Sequence, residues 1–264
     1  MITAVRPAQR QVPWQIPLVL TLLALPLVIL FWLLANPSMN MQMIIPIEHF
    51  VIVTNVSLVA AAVALLLARG ALQLAQYRML LPALGFMSLG GLFWVHALAT
   101  PGVIMSGTYT YSNPMTPSAI VGISAVLSLF VPSLFFATRY LPLAAMLERR
   151  EPDQIRRWLA TITVGLVVLL VLYAIISIRS HEFIEQLPLS HPPISYGFSL
   201  VTVSLLLFAA WNEGQAYLRT SLPMQGALVV GYILLAEANI AMTLGPTWTL
   251  AWAEYHVLML GAVV

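Results

Sequence analysis

The sequence contains no cysteine and no lysine, and it carries little charge of either sign. Without cysteine the chain cannot form disulfides, thiolate metal sites or a cysteine-attached haem. Without lysine it cannot hold retinal as a Schiff base, which excludes a retinal photoreceptor. All eleven basic residues are arginine and they form no extended basic run, so the sequence does not predict binding to the phosphates of a nucleic acid.

Apolar residues dominate the composition. They make up 61% of the 264 residues, and charged residues only 8%, against roughly 25% in soluble domains. Because a soluble fold of this size could not bury so much apolar surface, we expect an integral membrane protein in contact with the lipid bilayer. A membrane-spanning helix needs about 20 apolar residues, and eight segments reach or approach that length. The sequence therefore predicts an all-α, polytopic helix bundle that forms one domain over residues 1–264. The expected spans are residues 14–35, 45–67, 79–100, 119–138, 158–178, 195–211, 224–244 and 249–264.

The arginines predict the orientation of these spans. Cytoplasmic loops of membrane proteins are enriched in basic residues. If the N-terminus is cytoplasmic, ten of the eleven arginines face the cytoplasm and only Arg179 lies outside. We therefore expect both termini in the cytoplasm and the bundle in a bacterial inner membrane. The last apolar segment ends without a polar flank, which favours a chain that continues into a further domain.

The ionisable side chains within the predicted spans are few, and they lie at one depth. At 1.5 Å per residue they are roughly 5–10 Å below the outer surface. Ionisable groups inside a membrane are costly and usually functional. The group comprises Glu48 and His49 in the second span, His96 in the third, Glu237 in the seventh, and Glu254 and His256 in the eighth.

Two interpretations of this group stay open. Imidazoles and carboxylates on facing helices can bind zinc, copper or iron. The alternative is a hydrogen-bonded network that fixes helix packing. Glu254 and His256 are about 200° apart at 100° per residue, so they need help from the bundle to face one centre. The predicted metal ligands are His49, His96, Glu237, Glu254 and His256, with Glu48 as an auxiliary.

Methionines in the first outer loop bear on the identity of the metal. Met39, Met41 and Met43 alternate with polar residues just before the second span. Soft thioethers select Cu(I) over harder ions, so these three are auxiliary candidates and copper is the favoured metal. Haem b, non-haem iron and zinc stay open as alternatives, and a bis-imidazole haem could use His96 and His256. The methionines could also serve packing alone.

Two stretches of sequence resemble a known group of proteins. Residues 92–102 (LFWVHALATPG) and residues 254–260 (EYHVLML) are similar to the N-terminal multi-span sensory regions of bacterial membrane-bound signalling proteins. In these proteins seven or eight helices precede a cytoplasmic histidine kinase, nucleotide cyclase or diguanylate cyclase. The resemblance implies that His96 and His256 belong to a sensing site and that a signalling domain or partner follows the eighth helix.

We therefore expect a membrane sensory module in which ligand binding shifts the eighth helix, since helix shifts of about 1–2 Å suffice for switching. Signalling modules of this kind often work as homodimers. One alternative is a membrane metalloenzyme or a subunit of one, although no hydrolase or phosphate-binding motif is present, which favours a non-enzymatic chain. Another is a copper or small-solute transporter, which would need a polar path that the sequence shows only near the inner edge.

Overall fold

The computed structural model of the chain describes residues 15–73, 77–100, 119–142, 151–180, 183–184 and 186–264. Over these ranges the regular structure is helical, apart from a single β-bridge between Gln42 and Thr249. The predicted all-α fold is therefore confirmed. Its α-helices are α1 Gln15–Ala35, α2 Pro46–Gln73, α3 Leu80–Leu98, α4 Ala119–Thr138, α5 Pro152–Arg179, α6 Ile194–Thr220, α7 Pro223–Leu244 and α8 Leu250–Val263.

Six of the described helices, α2 to α7, are long and apolar enough to cross a membrane. The other two, α1 and α8, contribute shorter apolar segments, Thr21–Ala35 and Leu250–Val263. The 14 residues of α8 rise only about 21 Å, less than the ~30 Å of a bilayer's hydrocarbon core. The membrane character of the chain is thus carried by six helices. The count of eight spans and the cytoplasmic position of both termini stay predictions.

Several helices continue well past the spans that hydropathy predicts. Helix α2 ends at Gln73, α5 begins at Pro152 and α6 ends at Thr220. Hydropathy marks only the residues that prefer hydrocarbon, whereas backbone hydrogen bonding continues through polar residues of good helix propensity such as Arg, Gln and Glu. These three helices are therefore longer than the apolar segments from which their spans were predicted.

Helix α3 lies at the centre of the bundle, because it packs against α2, α4 and α5 and most of its residues are buried. Glycine permits two close approaches between helix backbones, one at α3 and one at α7. A Cβ atom at Gly90 would lie 2.9 Å from the Ser57 carbonyl oxygen of α2, and one at Gly231 would lie 2.9 Å from the Ala262 carbonyl oxygen of α8. Small residues at such contacts let helix backbones meet in lipid, and here they set how α2 and α8 pack.

A buried ion pair joins α4 to α6 at one end of the bundle. The guanidinium of Arg139 lies 3.2 Å from the carboxylate of Glu213, whose side chain is almost entirely buried. The hydroxyl of Tyr140 also donates to this carboxylate. Burial, as the main cause, raises the pKa of Tyr140 far above its usual value, so the hydroxyl keeps its proton and stays a donor. One carboxylate thus has two partners from the segment that follows α4.

Replacing Arg139 by Met should destabilise the protein by about 3–5 kcal/mol, because Glu213 would be left as a buried charge without its cation. Unfolding of the detergent-purified protein measures the loss. Arg156→Met, at an exposed position of α5, is the control and should change little. Replacing both partners, Arg139→Met with Glu213→Leu, should restore most of the stability. If Arg139→Met and the control Arg156→Met were equally stable, a role for the ion pair would be refuted.

Candidate metal centre

Three imidazoles from three helices meet at the opposite end of the bundle. His49 lies in the first turn of α2, His96 in the last turn of α3 and His256 in the middle of α8. One ring nitrogen of each lies within 4.8 Å of the other two. The three side chains are 1–3% exposed. They converge because the start of α2 pairs with the end of α3, and because α8 packs against α2.

The Nε2 atoms face the interior of this cluster. His49 Nε2 and His96 Nε2 are 3.0 Å apart, a distance at which one proton must lie between them. The hydroxyl of Tyr255 is 3.2 Å from His96 Nε2. Among the described residues, His256 Nε2 is buried and has no hydrogen-bond partner. One inward nitrogen of the cluster, Nε2 of His256, is therefore left without a donor in the described part of the chain.

The other ring nitrogens point outward to fixed partners. His96 Nδ1 lies 2.8 Å from the Val121 carbonyl oxygen, and because a carbonyl only accepts, Nδ1 carries the proton. His49 Nδ1 lies 3.0 Å from the Thr100 hydroxyl. His256 bonds to the Ala253 backbone within α8. Such outer bonds set the tautomer and the orientation of metal-binding histidines, and here they leave the Nε2 lone pairs of His96 and His256 facing inward.

Aromatic rings enclose the imidazoles. Trp252 stacks on His49 with ring centres 5.1 Å apart, and Phe93 stacks on His96 at 5.0 Å. The Trp252 ring also meets His256 edge-on at 4.6 Å. These contacts hold the rings in place, and the imidazoles are buried, so that any electrostatic interaction of the nitrogens acts in a medium of low dielectric constant.

The loop that contains the methionines, residues 36–45, is hydrogen-bonded to the beginning of α8 beside this cluster. Met43 N donates to the Trp248 carbonyl at 2.6 Å, and Leu250 N donates to the Met41 carbonyl at 3.1 Å. Ala251 N donates to Asn40 Oδ1 at 3.0 Å. Trp248, which these bonds help to hold, has a positive φ of 60° and packs against His49. We call this loop, residues 36–45, the lid, because it holds Trp248 against His49 at the edge of the cluster.

The methionine side chains themselves are not buried with the histidines. Met39 is 51% exposed and Met41 61% exposed, and Met43 is half-buried. The backbones of Met41 and Met43, not their side chains, make the hydrogen bonds that tie the lid to the beginning of α8. The structure thus places two of the three predicted thioether ligands at the surface of the lid.

The predicted acidic ligands lie apart from the imidazoles. The group of converging ligand atoms in the described chain contains the three histidines and no carboxylate. Glu237 and Glu254 instead lie close enough to interact with each other between α7 and α8, and each has one buried oxygen without a hydrogen-bond partner among the described residues. The rotation of about 200° between Glu254 and His256 explains the separation. Glu48, one residue before His49, is exposed.

Sequence reasoning did not identify Thr100, Val121, Tyr255 or Trp252 as parts of the site. Thr100 lies four residues after His96 and Tyr255 lies directly before His256, so their proximity to the histidines was a usable signal. The carbonyl of Val121 carries no sequence signal, because any residue at that position supplies the same oxygen.

The chain matches no family model, no curated protein and no solved structure. Its function has to be inferred from the residues of the site.

In metal-free protein we expect His96 and His256 to be neutral tautomers with the proton on Nδ1, because each faces a backbone acceptor on that side. The ¹⁵N chemical shifts of histidine-labelled protein report which nitrogen is protonated. Single His→Gln variants assign the signals, and the exposed His191 should show averaging between tautomers. A proton on Nε2 of His96 would contradict the arrangement.

Proposed function

We propose that the chain is a membrane-embedded sensory module that binds a metal ion, with copper favoured, through Nε2 of His49, His96 and His256. The observation that carries the proposal is the convergence of three buried imidazoles whose outward nitrogens are already engaged. Neutral imidazole is a common ligand of copper, zinc, iron and nickel. Histidines from different helices of a bundle are a known way to build such a centre.

The spacing of the nitrogens is compatible with a bound ion. At metal–nitrogen distances of about 2.0–2.1 Å, tetrahedral ligand nitrogens lie roughly 3.4 Å apart. The Nε2 atoms of His49 and His96 are 3.0 Å apart, and the whole set lies within 4.8 Å. Only small side-chain movements would bring all three nitrogens to one ion.

A packing network accounts less well for the same atoms. Buried polar groups in proteins nearly always have a hydrogen-bond partner, yet His256 Nε2 has none among the described residues. A cation would be bound by this lone pair together with that of His96 and, once its Nε2 proton is released, that of His49. The ion would satisfy the three inward nitrogens without any change in their outward bonds at Val121 and Ala253.

Copper is favoured by the lid. The exposed thioethers of Met39 and Met41 lie on a loop that is hydrogen-bonded to the residues beside the cluster. Soft thioethers bind Cu(I) in preference to zinc or iron, so the lid could capture copper on the outer side and pass it to the imidazoles. The three nitrogen donors alone would accept zinc or iron as well.

The division of the ligands between helices supports a sensory role. His49 and His96 belong to the tightly packed pair α2 and α3, whereas His256 belongs to α8. An ion bound by all three would tie α8 to that pair and bias its position. Helix shifts of about 1–2 Å are enough for switching. We propose that α8 transmits this shift to a cytoplasmic signalling domain or partner, in a homodimer in a bacterial inner membrane with both termini cytoplasmic.

A membrane metalloenzyme is the second candidate, and one observation favours it. The Tyr255 hydroxyl lies 3.2 Å from His96 Nε2, where it could exchange a proton with a molecule bound near the ion. Turnover by the purified chain alone would support the enzyme. Metal-dependent movement of α8 without turnover would support the sensor.

Purified protein should bind one ion per chain after separate incubation with Cu(I) or Zn(II), as measured by elemental analysis. His256→Ala should weaken binding more than tenfold, because one of three ligands is lost. His191→Ala, which removes an exposed histidine, is the matched control and should bind as the wild type does. His256→Gln keeps a side chain of similar size if the Ala variant fails to fold. Unchanged occupancy in well-folded His256 variants would refute the site.

The lid makes a separate prediction about copper. Replacing Met39, Met41 and Met43 together by Leu should slow loading with Cu(I) but leave loading with Zn(II) unchanged, because thioethers capture only the softer ion. Stopped-flow competition with a coloured Cu(I) chelator measures the rates. Met224→Leu, at an exposed position on α7, is the control. Identical copper rates in the triple variant and the wild type would leave the lid without a role in delivery.

A further inference from the structure

A cavity of about 280 Å³ lies beside the imidazole cluster, between α4, α6, α7 and α8. One wall consists of small side chains of α4, including Ala125. The wall towards the cluster is formed by His96, Tyr255 and Trp252, and the hydroxyl-bearing residues Ser195, Thr243 and Thr247 also line the cavity. His96 and Tyr255 are each 1% exposed, so the polar groups on this wall are almost entirely buried.

We propose that this cavity binds a small uncharged molecule that carries a hydroxyl or carbonyl group and is about the size of phenol. Its volume of about 280 Å³ is roughly that of nine waters in the liquid, at ~30 Å³ each, which gives room for a molecule of this size. This volume is smaller than the sites of drug-sized ligands, which start at about 300 Å³.

The lining determines the charge of the ligand. None of the described lining residues is acidic or basic apart from the imidazole of His96. A charged ligand would lose its hydration and find no opposite charge, at a cost of several kcal/mol. An uncharged molecule avoids this penalty, and the ring of Trp252 together with the thioether of Met242 offers it an apolar surface.

The hydroxyls determine the functional group. Each hydroxyl has one proton to donate and two lone pairs that accept. Thr243 Oγ1 lies 2.7 Å from the Asn239 carbonyl and 3.0 Å from the Ser199 hydroxyl, so its proton is already shared with these groups and its oxygen is left to accept. Tyr255 lies within hydrogen-bond distance of His96 and still has lone pairs for a donor on the ligand. A phenolic or alcoholic hydroxyl matches this set, and Ser195 and Thr247 extend it to a carbonyl.

The cavity is also connected to the groups that orient the imidazoles. Val121 lines it, and the Val121 carbonyl accepts from His96 Nδ1. A molecule in the cavity would therefore touch the partner that fixes the His96 tautomer. The binding of this molecule requires no ion, which separates this proposal from the metal-binding function.

The proposal is tested by titrating phenol into chelator-treated, detergent-purified protein in a calorimeter. We expect saturable binding to the wild type and at least tenfold weaker binding to Ala125→Leu, because the larger side chain fills the cavity. Ala62→Leu makes the same change at an exposed position of α2 and should bind as the wild type does. Benzoate, which has a similar shape but a negative charge, should not bind.

Equal phenol binding by Ala125→Leu and the wild type would overturn the proposal, because binding that does not depend on the cavity would reflect partition of phenol into the detergent. Saturable binding of benzoate at a similar affinity would overturn the uncharged class. If Ala125→Leu does not fold, Tyr255→Phe serves instead, and this nearly isosteric change should weaken phenol binding several-fold. Metal binding by each variant is measured separately after reloading with Zn(II), so that loss of phenol binding with normal metal binding separates the two sites.

Discussion

A buried imidazole has two nitrogens, and in a bilayer neither can turn to water for a partner. In this protein the outward nitrogens of His96 and His49 are held by a carbonyl at the start of α4 and by Thr100 just beyond α3. The inward nitrogens face one another. This requirement links α2, α3, α4 and α8 at a single point, and the packing at this end of the bundle follows from it.

The two ends of the bundle are built differently. At one end Arg139 and Glu213 join α4 to α6 through opposite charges, with Tyr140 as an additional donor. At the other end the contacts are between neutral rings, a lid held by backbone hydrogen bonds and a cavity of about 280 Å³. Neutral groups around a cavity can accept a ligand at little electrostatic cost, whereas an ion pair resists rearrangement. We therefore infer that the groups at the histidine end can accept an uncharged ligand at lower electrostatic cost than the ion pair could.

The sequence predicted the depth of a side chain along the membrane, but it did not predict the direction in which the side chain points around its helix axis. His49, His96 and His256 were expected at one level because each residue advances a helix by about 1.5 Å, and the structure brings them together. Glu237 and Glu254 were expected at the same level, yet they lie between α7 and α8 because their helices turn them away from the imidazoles. The methionines of the lid were read as ligands from their residue type alone, but Met39 and Met41 are exposed.

By itself, the sequence predicted that the chain is helical, that much of it suits a membrane and that the ionisable groups within the predicted spans share one depth. These properties depend on hydropathy and helical rise, which are local. Only the tertiary structure decided that three imidazoles form the cluster, that Thr100, Val121 and Tyr255 complete it, and that a cavity lies beside it. The rotation of each helix is set by close contacts such as Gly90 with Ser57 and Gly231 with Ala262, and such contacts between distant residues leave no periodic pattern in one sequence.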